Sequence, residues 1–268
     1  MSALAEPLEE REQITMRVVA GGEAAIYSAP NPSGDGVCED AIACIALEDT
    51  RAVIAVADGV GGQPLGRDAA RAAIGELDRA VKAAPEGDLR GAILDAFEQA
   101  NRKVEGLGVG AATTLAAVEI DSGHVRAYHV GDSQILVVGQ RGRIHLETMP
   151  HSPVGYGVEA GLIDAHEAID HDDRHLISNV VGEPGMRIEI GSPLKLRQRD
   201  TVVVGSDGLF DNLRVDEIAE HVRKGPLEDA ARALAAVCRT RMTEPREGVP
   251  SKPDDLSFVL YRQRKGAA

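Results

Sequence analysis

The stretch AVIAVADG (Ala52–Gly59) decides the fold of this 268-residue chain. Its six apolar residues follow one another without a polar break, which is typical of a short strand covered on both faces. The strand ends at Asp58, and a buried carboxylate costs free energy unless a positive charge compensates it. Because no Lys or Arg lies inside the stretch, it predicts a buried strand that carries a carboxylate into a cation site.

The same arrangement, an acidic residue beside a glycine or at a strand end, occurs again at Glu39-Asp40, Gly131-Asp132, Asp207-Gly208 and Asp254-Asp255. Any one of these pairs can instead form an ordinary turn or cap a helix, because Asp-Gly is common in turns. Five such clusters in one chain favour a shared role over separate turns. Oxygen ligands suit hard divalent cations, so we predict a carboxylate-lined Mg²⁺ or Mn²⁺ site assembled from distant strands.

The strand and helix patterns of the chain come in blocks. Strand patterns are predicted at 14–28, 41–47, 52–57, 111–148, 186–190, 201–205 and 256–261. Apolar residues at helical spacing predict helices at 70–84, 89–105, 215–222 and 226–241. The order is strands, two helices, strands, two helices and one strand, which differs from the regular alternation of a doubly wound sheet. It predicts an α+β fold in which antiparallel sheets pack together with helices outside.

One domain is expected, at 14–262, between a disordered leader at 1–13 and a short tail at 263–268. The leader is acidic and lacks the basic start and apolar core of a signal peptide. Within the domain, the segment 150–185 is rich in His, Asp and Gly. We predict that it forms a flap over a site, with a short helix around Val158 to Ala168.

The charge balance is acidic, with 29 Lys and Arg against 43 Asp and Glu and a net charge of −14. This argues against nucleic acid as a partner, because nonspecific binding needs basic surface. Cys38, Cys44 and Cys238 lack CxxC spacing and are expected to be reduced thiols in a cytoplasmic protein. No apolar run approaches the ~20 residues of a membrane span, so no membrane partner is predicted.

Six motifs stand along the chain in the order Glu39–Ala41, Ala57–Gly62, Gly110–Thr114, Val130–Ser133, Ser206–Asn212 and Asp254–Ser257. In this order they resemble the metal-dependent Ser/Thr protein phosphatases of type 2C, and the likeness runs from about Gly34 to Tyr261. Glu159–Ile163 and Arg174–Ile177 look like the flap of bacterial members. The resemblance implies a four-layer α-β-β-α sandwich, with two antiparallel sheets flanked by helix pairs and metal ions at one end.

The resemblance also implies a set of metal ligands. Asp58 would bridge two ions, and the Gly59 carbonyl would bind one of them. Asp207 and Asp254 would hold the first ion, and Glu39 would reach the second through water. Two ions about 4 Å apart can share a water, lower its pKa and stabilise the charge of an in-line displacement at phosphorus.

Two further aspartates take supporting roles by the same resemblance. Asp40 would orient water and, with Asp58 and Asp207, form the catalytic set. Asp132 would serve a third, weaker ion, so that the cofactors are two or three Mn²⁺ or Mg²⁺ ions. Asp255 stands where the family usually has Asn, and we interpret it as a neighbour of Asp254. Thr113 and Thr114 are expected to pack beneath the site.

Two positions depart from the family pattern. The segment 33–38 contains no Arg, although many members carry there an Arg that grips the phosphate. Losing a bidentate phosphate ligand should weaken substrate binding, and the metal ions alone, Arg51 or Arg67 are the candidates to replace it. Val60 stands where eukaryotic members have a His that protonates the leaving group. We therefore expect either greater dependence on leaving-group pKa or protonation of the leaving group by metal-bound water.

These patterns predict a Mn²⁺- or Mg²⁺-dependent phosphatase that hydrolyses phosphoserine and phosphothreonine in proteins by direct attack of water. Phosphorylated proteins would be its substrates, and a Ser/Thr kinase is a candidate partner. The alternatives are a pseudophosphatase that binds a phosphoprotein or kinase without turnover, and a hydrolase of small phosphate esters. A soft-metal site at His171 and His175, four residues apart in the flap, is a weaker alternative for that segment.

Overall fold

The computed structural model describes residues 11–60, 65–85, 88–108, 110–168 and 171–264. Its strands are β1 (Arg11–Val19), β2 (Gly22–Ala29), β3 (Ala41–Glu48), β4 (Arg51–Ala57), β5 (Leu115–Asp121), β6 (His124–Val130), β7 (Gln134–Val138), β8 (Ile144–Glu147), β9 (Glu189–Ile190), β10 (Leu194–Lys195), β11 (Thr201–Gly205) and β12 (Leu256–Gln263). Its helices are α1 (Gly66–Lys82), α2 (Leu89–Glu105), α3 (Pro153–Glu159), α4 (Ala165–Ala168), α5 (Asp207–Phe210), α6 (Val215–Val222) and α7 (Leu227–Thr243).

Two sheets form the centre of the molecule. The first has the strand order β1-β2-β12-β11-β7-β8, and the second has the order β10-β6-β5-β4-β3 with β9 also paired to β6. Every strand pairing among the described residues is antiparallel. Helices α6 and α7 cover the outer face of the first sheet, and α1 and α2 cover the second. The predicted four-layer α-β-β-α sandwich is therefore confirmed.

The long apolar runs of the sequence follow from this layering. In β4, Ile54 and Val56 pack between the sheets, while Val53 and Ala55 face the helices. Because side chains alternate along a strand, a strand covered on both faces must be apolar throughout. The space between the sheets is filled mainly by Ala, Val, Leu and Ile, as the low aromatic content requires.

Several boundaries differ from the sequence-based predictions. β1 begins at Arg11, inside the predicted leader, and β12 continues to Gln263, inside the predicted tail. These extensions pair with β2, which forms hydrogen bonds that the side-chain pattern does not reveal. None of the helices among the described residues combines the length and hydrophobicity needed to span a membrane.

The flap helix also begins earlier than predicted. α3 starts at Pro153, because the Ser152 side chain accepts a hydrogen bond from the backbone N–H of Gly155 at 2.9 Å. Serine before proline is a strong start signal for a helix. Gly161, with φ +69°, follows the end of α3, so the predicted helix around 158–168 is replaced by α3 and the single turn of α4.

Candidate metal centre

The five acidic clusters converge at one end of the sandwich. Asp58 directly follows β4, Asp132 lies two residues after the end of β6, and Asp207 opens α5 two residues after the end of β11. Burial raises the pKa of Asp58 well above its usual range, and the charges of Asp40, Asp207, Asp132 and Asp254 raise it further. The carboxylates of four distant segments thus lie close enough to repel that of Asp58.

Two threonines fix the backbone of Asp58. The N–H of Asp58 donates to Thr114 Oγ1 at 3.0 Å. Its carbonyl accepts from Thr113 Oγ1 at 2.7 Å and from the N–H of Thr114 at 2.8 Å. Both threonines are buried. The expectation that they only pack beneath the site was incomplete, because they hold the Asp58 peptide groups by hydrogen bonds.

Glu39 reaches the start of α1. Its Oε2 would lie 3.2 Å from a Cβ placed on Gly66, whose backbone in turn contacts Gly59. Burial and the charges of Asp255 and Asp35 raise the pKa of Glu39. The Glu39 side chain, the backbone of Gly59 and the first turn of α1 are therefore in contact, whereas positions 61 and 62 of the glycine-rich motif lie outside the described residues.

Asp132 depends on the glycine that precedes it. Gly131 has φ +101°, and a Cβ there would lie 2.6 Å from Thr114 Cγ2, so only glycine fits this bend. Asp132 is buried, and its Oδ1 has no hydrogen-bond partner. Burial raises its pKa, as do the charges of Asp207 and Asp211, while Lys252 opposes the shift.

Asp40 is held by a serine. Ser206 Oγ donates to Asp40 Oδ2 at 3.0 Å and accepts from the N–H of Ser257 at 3.1 Å. The other oxygen, Oδ1, is buried without a partner. Burial raises the pKa of Asp40 well above its usual range, with a further contribution from Asp255. One oxygen is thus fixed by the fold and the other is free to accept a hydrogen bond.

Asp255 has a structural role that the sequence did not indicate. Its Oδ1 accepts from the N–H of Asn31 at 2.7 Å, and its Oδ2 accepts from the N–H of Glu39 at 2.6 Å. A Cβ on Gly208 would collide with the Asp255 carbonyl at 1.8 Å. Asp255 therefore joins the segment before β3 to the start of β12, whereas the carboxylate of Asp254 lies beside Lys252.

Sequence reasoning missed Lys252, whose ammonium lies among the carboxylates. Nζ contacts Asp207 Oδ2 at hydrogen-bond distance and lies 3.0 Å from Oδ2 of both Asp211 and Asp254. Asn212 fixes its backbone, since Asn212 Oδ1 accepts from the Lys252 N–H at 2.9 Å and Asn212 Nδ2 donates to the Lys252 carbonyl at 2.8 Å. The only sequence signal was a lysine two residues before Asp254.

The charges of this lysine and its partners act on each other. Burial lowers the pKa of Lys252, but the attraction of Asp207, Asp211 and Asp254 outweighs burial and raises it overall. Burial and repulsion from Asp207 raise the pKa of Asp254 to about 6, although Lys252 lowers it. One ammonium group does not neutralise the carboxylates that surround it.

The donor set fits hard divalent cations. The converging groups are carboxylates, two of their buried oxygens lack a partner, and burial raises the pKa of most of them. Carboxylate, carbonyl and water oxygens suit Mg²⁺ and Mn²⁺ rather than soft metals. Bound cations of charge +2 would relieve the repulsion that Lys252 leaves uncompensated.

A second group of potential ligands, His129, His151 and Glu189, lies behind this centre. The two imidazole rings stack with centroids 4.4 Å apart, and His129 Nε2 lies 2.9 Å from the carbonyl oxygen of Met149. His151 Nδ1 accepts from the N–H of Gly131 at 3.1 Å, and its Nε2 lies 3.2 Å from Glu189 Oε2. His151 thus supports the Gly131 bend by a hydrogen bond, and Glu189 pairs with His151.

His171, one of the two histidines predicted as a weaker alternative, also has a structural role. His171 Nδ1 accepts a hydrogen bond from the N–H of Asp173 at 3.1 Å and caps the 3₁₀ turn Asp172–His175. This hydrogen bond occupies Nδ1 of His171, one of its two ring nitrogens.

The protein phosphatase 2C model matches residues 33–244. The chain belongs to the protein phosphatase 2C family. A putative 2C-type phosphatase of Streptococcus pyogenes is 30% identical over 179 residues, which cover 62% of this chain and 70% of that protein. The phosphatase PhpP of Streptococcus pneumoniae is 29% identical over 195 residues, covering 69% and 78%.

Solved structures agree with this assignment. A Ser/Thr phosphatase of S. agalactiae matches with a TM-score of 0.77 and 27% identity. The match covers 91% of this chain and 100% of that chain. The catalytic domain of PstP, solved with two manganese ions, has a TM-score of 0.72 at 22% identity and covers 93% and 99%; this match shows the fold alone.

Family membership confirms the predicted enzyme class, a metal-dependent Ser/Thr protein phosphatase, together with Mn²⁺ or Mg²⁺ as cofactors and phosphoproteins as substrates. The fold also removes one candidate for the missing phosphate-binding Arg. Arg51 opens β4, at the opposite end of the strand from Asp58, and its Nε lies 3.7 Å from Asp121 Oδ2. Arg67 lies in the first turn of α1, one residue after Gly66.

Proposed function

We propose that Asp58, Asp207, Asp254, Glu39 and the Gly59 carbonyl hold two Mn²⁺ or Mg²⁺ ions, and that Asp132 serves a third. The observation that carries this proposal is the convergence of carboxylates from distant segments. Burial raises the pKa of Glu39, Asp58, Asp132 and Asp254, and Asp132 Oδ1 is buried without a hydrogen-bond partner. When bound, such ions lower the pKa of a water molecule and stabilise the negative charge of the phosphoryl group during transfer.

Asp40 is the residue that positions the attacking water. Ser206 donates a hydrogen bond to Asp40 Oδ2, which fixes the orientation of the carboxylate. Asp40 Oδ1 has no partner in the structure and can accept a hydrogen bond from the water. A carboxylate with a raised pKa is also a better proton acceptor than an exposed one. No Ser or Cys nucleophile is needed, because the water attacks phosphorus directly.

Lys252 supplies a local positive charge in a site without the usual Arg. Its Nζ contacts the carboxylates of Asp207, Asp211 and Asp254. A phosphate group bound at these carboxylates through metal ions would therefore lie near the Lys252 ammonium. A lysine binds phosphate as a point charge rather than as a bidentate fork, so substrate should be held more loosely than by Arg.

The flap at 150–185 borders this site. Arg174 of the flap lies 3.8 Å from Asp211 Oδ2, and Asp211 contacts Lys252. The flap is also joined to the Asp132 bend, because the N–H of His151 donates to the Gly131 carbonyl at 3.0 Å. A substrate that enters the metal centre would therefore touch flap residues, which gives the flap a role in substrate choice.

The physiological setting follows from the chemistry. A phosphatase of this class opposes a Ser/Thr kinase, so the kinase or its targets are the substrates we propose. The three cysteines are free thiols, which supports a reducing compartment such as the cytoplasm.

The decisive experiment is hydrolysis of a phosphothreonine peptide with Mn²⁺, with Mg²⁺ or with EDTA. Asp207→Asn should abolish turnover, whereas Asp95→Asn, which removes an exposed carboxylate on α2, should retain it. Circular dichroism should show both variants folded. If the folded wild type binds Mn²⁺ but shows no turnover with either ion, the protein is a pseudophosphatase. Faster turnover of sugar phosphates than of phosphopeptides would identify a small-ester hydrolase.

A further inference from the structure

A second charged site lies at the end of the sandwich opposite the metal centre. It is a cavity of about 590 Å³ lined by Gln140 and five cations, Arg141, Arg199, Arg223, Lys224 and Arg262. Its residues come from the β7–β8 turn, the segment before β11, the α6–α7 loop and the end of β12. β11 begins at this end, and the chain reaches Asp207 six residues after Thr201. At a rise of about 3.3 Å per residue, the two sites lie roughly 20 Å apart.

Most of these cations have no acidic partner in the part of the chain that the structure describes. Arg223 pairs with Glu220 at 2.9 Å. Among the residues that the structure describes, no carboxylate lies within 4.0 Å of the charged groups of Arg141, Arg199, Lys224 or Arg262. Like charges in one cavity repel each other, and a chain of net charge −14 has many acidic side chains that could have compensated them. The arrangement therefore leaves positive charge available to a ligand.

Arg262 lines the cavity with a guanidinium group that neutral groups hold in place. Its Nη1 donates to the Gly225 carbonyl at 2.6 Å, its Nη2 donates to the Val222 carbonyl at 2.6 Å, and its Nε donates to Thr201 Oγ1 at 3.0 Å. These acceptors are neutral, so they fix the guanidinium in place without cancelling its charge. Burial and the charge of Arg199 also lower the pKa of Arg262, while Glu23 raises it.

Arg199 has a backbone conformation that is unfavourable for arginine. Its φ is +69°, in the left-handed region that costs free energy for a residue with a side chain. The side chain is exposed, so burial of its stem does not offset this cost. When the Gln140 amide oxygen faces it, Gln140 accepts from Arg199 Nη1 at 3.1 Å and from Nε at 3.3 Å, which directs the guanidinium along the cavity wall.

We propose that this cavity binds phosphate groups, carried either by a phosphorylated segment of a protein or by a small polyphosphate. Guanidinium groups match the oxygens of phosphate by paired hydrogen bonds. The volume is within the range of small-ligand sites, and it exceeds what one phosphate needs, which suits a ligand with more than one anionic group.

The test is a binding titration in EDTA, so that it does not depend on the metal centre or on catalysis. Inorganic pyrophosphate and a doubly phosphorylated peptide are titrated separately into the full chain by calorimetry at low salt. The wild type should bind at least one of them saturably, and the one that binds more tightly identifies the source of the phosphate. Binding should weaken as salt rises, because the contacts are ionic.

The variant Arg199→Gln/Lys224→Gln removes two exposed cations and should weaken binding by about tenfold or more. The matched control, Arg90→Gln/Lys195→Gln, removes the same charge from exposed positions outside the cavity and should change binding by less than about twofold. Absence of saturable binding in the wild type, or equal loss in both double variants, would overturn the proposal. Failure of the phosphatase assay alone would leave this result unchanged.

Discussion

Replacing Lys252 with methionine tests how charge is arranged in the metal centre. The substitution keeps an unbranched apolar side chain and removes the ammonium that contacts Asp207, Asp211 and Asp254. Lys252 and a divalent cation compete for the same oxygens, so we expect the variant to bind Mn²⁺ more tightly. Without metal, the carboxylates lose their compensating charge, and we expect the melting temperature in EDTA to fall.

The magnitude follows from the geometry. Nζ lies 3.0 Å from Asp254 Oδ2, and an ion bound to that oxygen at about 2.1 Å would lie within about 5 Å of the ammonium. Repulsion between charges of +2 and +1 at that distance is about 2 kcal/mol in a water-like medium and about 7 kcal/mol at an effective dielectric constant of 20. Because the lysine can turn toward solvent, the lower value applies, which corresponds to Mn²⁺ binding about tenfold or more tighter.

The assay is calorimetric titration of Mn²⁺ into metal-free protein, with thermal unfolding in EDTA as the second measurement. Lys195→Met, at an exposed position on β10, is the control and should change neither quantity. Unchanged or weaker Mn²⁺ binding in Lys252→Met would refute the idea that the ammonium competes with the metal. It would mean that the lysine mainly holds the carboxylates in position.

Three further predictions concern other parts of the site. Asp58→Asn should abolish phosphopeptide hydrolysis. It should also raise the melting temperature in EDTA, because it removes a buried charge that four neighbouring carboxylates repel. A lower melting temperature would show that the carboxylate is structural. Gly131→Ala should lower the free energy of unfolding by about 3 kcal/mol through backbone strain and overlap with Thr114. The control is Gly108→Ala, where φ is also positive but no atom lies within 4 Å of the added Cβ. Its loss of unfolding free energy should be about 1 kcal/mol, the cost of backbone strain alone. Equal losses of the two variants in urea unfolding would contradict the packing argument. Arg51→Ala should leave KM for a phosphopeptide unchanged, since Arg51 lies at the far end of β4 beside Asp121, and a clear rise in KM would reinstate it as a phosphate ligand.

Much of the architecture was predictable because its signals are local. The apolar run before Asp58 and the helical spacing of apolar residues in α1, α2 and α6 depend only on neighbouring residues. The start signal of the flap helix, Ser152-Pro153, is also local, and the helix begins there rather than near Val158. The extra length of β1 and β12 comes from pairing with β2, which a local pattern does not contain.

The sequence by itself determined which residues can be metal ligands, since the acids at strand ends are visible in it. Only the tertiary structure decided how they are used. Asp255 holds backbone N–H groups of Asn31 and Glu39, Thr113 and Thr114 hold Asp58, and Lys252 lies among three carboxylates. Each of these contacts joins segments or side chains whose geometry no local pattern specifies. The cationic cavity has the same origin, because its cations come from four separate segments that meet only when the sheet forms.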